Sequence, residues 1–111
     1  MFHYTNLDGY KSIGSSPEWL FRAAQPPGDP EAHPIGAYFT DLPVDDPMLA
    51  RKVRIPREKI HHVFAFVDVG DLRRLAGGRG RYIFYSPVDY RVSHERQLRS
   101  GLTTIGAKER T

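Results

Sequence analysis

His62-Val63-Phe64-Ala65-Phe66-Val67-Asp68-Val69 is the stretch that decides how this chain is read. Its near-continuous apolar run, within a segment spanning Lys59 to Val69, predicts a strand buried on both faces. Working toward the N-terminus, Asp45-Asp46-Pro47 opens a short helix over Met48–Val53, since proline suits the first helical position. Before it, Ile35 to Leu42 has strand character, led by Gly36 and closed by Pro43. Residues 25–34 hold four prolines and read as a loop. Trp19-Leu20-Phe21 suggests a second short strand, and Phe2–Thr5 a strand at the terminus. Between them Leu7, Tyr10 and Ile13 have helical spacing, with Asn6 as N-cap and Gly14 as stop.

Working toward the C-terminus, Asp71–Leu75 reads as a helical turn, followed by Gly77-Gly78-Arg79-Gly80 as a hairpin turn. Arg81–Tyr85 is an aromatic-rich strand, and Val88–Val92 a further one beyond the Ser86-Pro87 break. The polar tail from Gly101 is expected to fray, leaving about residues 102–111 as a flexible end. Five or six short strands and two or three short helices result, without regular alternation. That pattern favours an α+β domain over a doubly wound sheet.

The 111 residues fit one domain, which at this size buries roughly two thirds of its unfolded surface. With no cysteine, disulfides, thiolate metal sites and cysteine nucleophiles are excluded. No stretch approaches the ~20 apolar residues of a membrane span, and Met1-Phe2-His3-Tyr4-Thr5 lacks the pattern of a signal peptide. The net charge of +3 conceals an asymmetry. Residues 1–50 carry two basic and seven acidic side chains, whereas residues 51–111 carry fourteen and six. The basic half suits a polyanionic target or a solvated arginine-rich surface.

Several chemistries lack their residues. There is no GxxxxGK[ST], no GxGxxG between strand and helix, and no HExxH. No metal site is expected: His61 and His62 are adjacent and point to opposite faces of a strand, His33 sits in the proline loop, and His94 lies beside Glu95. Ser86, His94 and Asp89 make a formal triad, yet Ser86 precedes proline and lacks the G-x-S-x-G elbow.

Two short motifs carry more. Phe2-His3-Tyr4-Thr5 precedes the helix with Asp8-Gly9-Tyr10-Lys11-Ser12-Ile13, and Gly36-Ala37-Tyr38-Phe39-Thr40-Asp41-Leu42-Pro43 follows at a distance. Together they resemble the ADP-ribosyltransferase superfamily, and within it the bacterial polymorphic-toxin domains with the HYD1 signature. Pro87-Val88-Asp89, with Ser100-Gly101 further on, looks like the family's third segment. The resemblance spans most of residues 2–101, strong at the first two motifs and weak at the third.

The resemblance implies a compact α+β fold of two small packed antiparallel or mixed sheets with a few short helices. It implies NAD as co-substrate, without a metal, and cleavage of the nicotinamide–ribose bond through an oxocarbenium-like transition state. His3 would hydrogen bond a ribose hydroxyl, with Thr5 as helper, and Tyr38 would stack on nicotinamide. An acidic residue, Asp89 or its rival Glu95, would steady the developing positive charge. Tyr4, Tyr10, Phe39 and Thr40 complete the expected NAD contacts, while Asp41 closes the turn before Pro43. The second tyrosine common in the superfamily is missing, since Met48 and Leu49 occupy its neighbourhood; the other wall is apolar or comes from Tyr10. No Glu-x-Glu pair of the arginine-modifying kind is present.

The expected function is therefore transfer of ADP-ribose to a macromolecular acceptor, protein or nucleic acid, by a monomeric domain acting as a toxin or defence effector. The resemblance further implies action in a cytoplasm, that of the producing cell or of a target cell after delivery, and an antitoxin or immunity partner. Two other readings stay open. One is a module that holds NAD or ADP-ribose without turnover. The other is a nucleic-acid binder using the basic half, with Tyr82, Phe84, Tyr85 and Tyr90 as stacking surfaces.

Overall fold

A computed structural model describes residues 1–25, 34–53, 55–75 and 82–109. Most of the proline loop at 25–34 and the glycine turn at 77–80 lie outside the described residues. The chain runs through β1 (Phe2–Thr5), α1 (Leu7–Ile13), β2 (Trp19–Phe21), β3 (Ala37–Thr40), α2 (Leu49–Val53) and β4 (His62–Phe66). It continues through β5 (Arg73–Arg74), β6 (Ile83–Ser86), β7 (Tyr90–Val92), β8 (Gln97–Leu102) and α3 (Thr104–Glu109). Short 3-10 segments, Arg57–Ile60 and His94–Arg96, precede β4 and β8.

Six strands form one sheet in the order β5-β6-β3-β1-β4-β8, and β2 pairs with β7 in a second. Every pairing is antiparallel. Among the described residues the fold is thus α+β with two antiparallel sheets and three short helices. Among the described residues, no helix is long and apolar enough to cross a membrane.

β4 is buried along its whole length, as its composition demands. The two-stranded sheet covers one face of the larger sheet, bringing Trp19, Phe21, Tyr90 and Val92 against Phe39, Phe64 and Phe66. Tilted and edge-on ring pairs dominate this cluster, with Phe21 meeting Phe39 at 5.1 Å and Phe64 at 5.7 Å. On the opposite face Tyr4 and Val63 pack with Leu42, Leu49 and Ile60 beneath α2 and the first 3-10 segment.

α1 begins as expected: the Asn6 side chain accepts from the Gly9 N–H at 2.9 Å, and Gly14 ends it. Gly9 is required by contact, because a Cβ there would lie 2.0 Å from Thr5 Oγ1. The helix consequently sits directly on the end of β1.

The structure corrects one expectation. Asp71–Leu75 is not a helical turn: Arg73 and Arg74 pair with Tyr85 and Phe84, and the Leu75 N–H donates to Ile83 O at 2.9 Å. Sheet pairing overrides a weak local helical preference. The described part of the tail carries two further elements, β8 and α3. β8 pairs with β4 from Gln97 through Leu102, with an irregularity opposite Ala65 and Phe66. Thr103 is buried, donates through Oγ1 to Ile60 O at 2.6 Å and accepts from the Gly106 N–H at 3.0 Å, which caps α3. Gly106 lies so close to His61 that a Cβ would meet its carbonyl oxygen at 2.3 Å.

Candidate active site

β1 and β3 pair only at Phe2 and Thr40, so the sheet loses main-chain pairing toward Thr5 and Ala37. The His3 imidazole bridges that opening: its Nδ1 lies 2.8 Å from the Tyr38 carbonyl oxygen. A carbonyl only accepts, so Nδ1 carries the proton and Nε2 is left as an acceptor. Burial pushes the imidazole down to about 4; the Tyr38 bond opposes this and the Lys59 charge adds to it. His3 is therefore neutral at pH 7. Its ring packs on Phe21 at 4.8 Å and Phe39 at 5.7 Å, which fixes its orientation.

An open cleft of about 660 Å³ lies over this opening. α1 and the turn after it contribute Gly9, Ser12, Ile13, Ser15 and Ser16. The β2 segment lines it from Leu20 to Arg22 and with Ala24 and Gln25, and the start of β3 with Gly36, Ala37 and Tyr38. Arg22, Lys59 and Arg91 bring three exposed cations, and none is ion-paired with a described residue. No carboxylate is among the described residues that line it. Such a cleft suits a ligand that combines anionic charge with hydroxyl groups.

The expected site residues are only partly brought together. His3 and Tyr38 both line the cleft. The Tyr38 ring, however, stacks on Tyr85 at 5.7 Å, and its hydroxyl donates to the Pro34 carbonyl. It stands on the face of β3 opposite Phe39, whose ring meets His3. Burial and the Tyr85 hydroxyl raise the Tyr38 phenol above its ordinary value.

Tyr4 is a core residue instead of a cleft residue. Its hydroxyl donates to Leu42 O at 2.8 Å on the face away from His3, and burial pushes its phenol up. Phe39 is likewise buried in the aromatic cluster. Thr40 is buried and acts as a strap, donating to Tyr82 O at 2.6 Å and accepting from the Leu42 N–H. Tyr10 stacks on His62 at 4.6 Å, locking α1 onto β4, and is not a wall of the cleft. Thr5 supports Gly9 from beneath.

Neither acidic candidate lines the cleft. Asp89 is exposed and its Oδ1 accepts from the Ala23 N–H at 2.8 Å, holding the segment that carries Arg22 and Ala24. Glu95 is exposed in the second 3-10 segment, its carboxylate held below the usual range by its own N–H and by Ser93. The three cations escaped the sequence reading. Charge asymmetry pointed to a basic surface, but Arg22 comes from the acidic half and spacing alone does not join it to Lys59 and Arg91. No group of three or more His, Asp or Glu among the described residues is arranged to hold a metal. Comparison with family models, curated proteins and solved structures found no match to this chain.

Proposed function

We propose that the cleft binds NAD and that the protein is an NAD-dependent ADP-ribosyltransferase acting on a macromolecular acceptor, as a toxin or defence effector. One observation carries this reading: a neutral histidine, held at Nδ1 by a main-chain carbonyl, sits in a cleft lined by three exposed cations. In this reading Nε2 accepts from a ribose hydroxyl, and Arg22, Lys59 and Arg91 receive the diphosphate. The glycosidic bond breaks with its electron pair leaving on nicotinamide, and the acceptor nucleophile attacks the ribose carbon as it loses its proton. Asp89 is the candidate to steady the positive charge, because the backbone it holds at Ala23 lies between Arg22 and Ala24, which line the cleft.

A second reading is binding of NAD or ADP-ribose without turnover. That neither Asp89 nor Glu95 lines the cleft favours it. Purified protein mixed with NAD separates the two. Under the first reading nicotinamide is released, and His3→Gln slows release by roughly a hundredfold or more, as loss of one oriented hydrogen bond does at such sites. Asp89→Asn then slows release more than Glu95→Gln. Calorimetric NAD binding without nicotinamide release establishes the second reading. Neither binding nor release eliminates both.

A further inference from the structure

β5 sends its two arginines to opposite faces of the sheet. Arg74, opposite Phe84, lays its guanidinium over that ring at 5.0 Å. Arg73, opposite Tyr85, is exposed and has no ion pair with a described residue. Tyr85 in turn stands opposite Tyr38 on β3. Directly opposed residues in antiparallel strands share a face, so Arg73, Tyr85 and Tyr38 form one row across three strands. With strands about 4.8 Å apart, the row spans on the order of 10 Å.

The two tyrosine rings are half-buried and nearly parallel, 20° apart at 5.7 Å. The row ends in a cation and contains no aliphatic side chain or carboxylate. Planar aromatic faces beside an exposed guanidinium suit an unpaired base and the phosphate attached to it. The strongly basic balance of residues 51–111 points the same way.

We infer that the Arg73–Tyr85–Tyr38 row is a stacking platform for single-stranded nucleic acid. The rings take base planes, which every base has, and Arg73 takes phosphate. Binding is therefore tolerant of sequence, and since nothing in the row reads a 2′-hydroxyl, RNA and DNA strands bind alike. Duplexes bind more weakly because their bases are already stacked. The other aromatics of the basic half do not join this row. Tyr90 is buried in the core, Phe84 lies beneath Arg74 on the reverse face, and Tyr82 sits 5.0 Å from the Lys52 ammonium.

Fluorescence anisotropy with labelled oligo-uridylate and oligo-thymidylate tests this without NAD, so the result stands apart from the fate of the ADP-ribosyltransferase reading. Both strands are expected to bind, with affinity falling as salt rises. Tyr85→Ala weakens binding about tenfold, in line with loss of one stacked base. Tyr85→Phe keeps the ring and retains affinity, which separates lost stacking from a damaged fold. Arg73→Ala weakens binding severalfold and reduces the salt slope. No measurable binding overturns the inference. Unchanged affinity in Tyr85→Ala, or equal affinity for a duplex, also overturns it. Loss of binding in Arg91→Ala with none in Tyr85→Ala places the strand in the cleft and overturns it as well.

Discussion

The two faces of the large sheet at β1 and β3 do different work with neighbouring residues. One face receives His3 and Phe39, and both rings pack into the aromatic cluster beneath β2 and β7. The other receives Tyr4, bonded to Leu42, and Tyr38, stacked on Tyr85. Strand alternation thus splits each motif between an interior residue and one that lines the cleft. Within His3-Tyr4 it is the histidine that reaches the cleft, while in Tyr38-Phe39 the phenylalanine is core. A motif continuous in sequence is therefore not a site continuous in space. β1 and β3 pair only at Phe2 and Thr40, and His3 and Tyr38, on strands whose pairing has opened, both line the cleft.

The largest expected effect comes from breaking the first face. Phe39 is 3% exposed and meets the rings of Phe21, Phe66 and Tyr90 as well as His3. Phe39→Ala is expected to destabilise the fold by about 3–5 kcal/mol, a large share of the stability of a domain this size. The urea midpoint should fall accordingly. A loss below about 1 kcal/mol would show that this cluster is loosely packed.

Those same contacts explain what was legible in the sequence. Phe64 and Phe66 announce a buried strand because every neighbour in that run is apolar, and Asn6 announces a cap by its place before Leu7. β8 gave no such signal. Gln97-Leu98-Arg99-Ser100-Gly101-Leu102 has neither alternation nor a β-rich composition, and its order comes from pairing with β4. α3 was hidden for a related reason: Thr103 and Gly106 look like tail residues until the Ile60 and His61 carbonyls are placed beside them. At the site, His3 and Tyr38 were legible as motif residues. Which way each ring points depended on register, and the grouping of Arg22, Lys59 and Arg91 depended on tertiary folding.

A pH titration sharpens the contrast at His3. Folding lowers the imidazole from about 6.5 to about 4, so the unfolded chain takes up the proton first as pH falls. The stabilising contribution is complete above pH 6.5 and is lost on descending toward pH 4. The slope in that window is at most about 1.4 kcal/mol per pH unit. Thermal midpoints of the wild type and His3→Gln, followed from pH 7 to pH 4, should converge as pH drops. Parallel curves would mean that the ring is solvated and that the cleft floor is not as described.

The smallest effect tests the second face. Tyr4→Phe removes the hydroxyl that satisfies the Leu42 carbonyl in a buried setting, while keeping the ring that packs on Val63 and Ile60. The expected cost is about 1 kcal/mol, the usual penalty for one unmade buried hydrogen bond. Because this hydroxyl lies on the face away from His3, NAD affinity should be unchanged, unlike in His3→Gln. Equilibrium unfolding and NAD calorimetry on the one variant therefore separate its two expected roles. A drop in NAD affinity at full stability would return Tyr4 to the proposed NAD site and dissolve the division of labour between the faces.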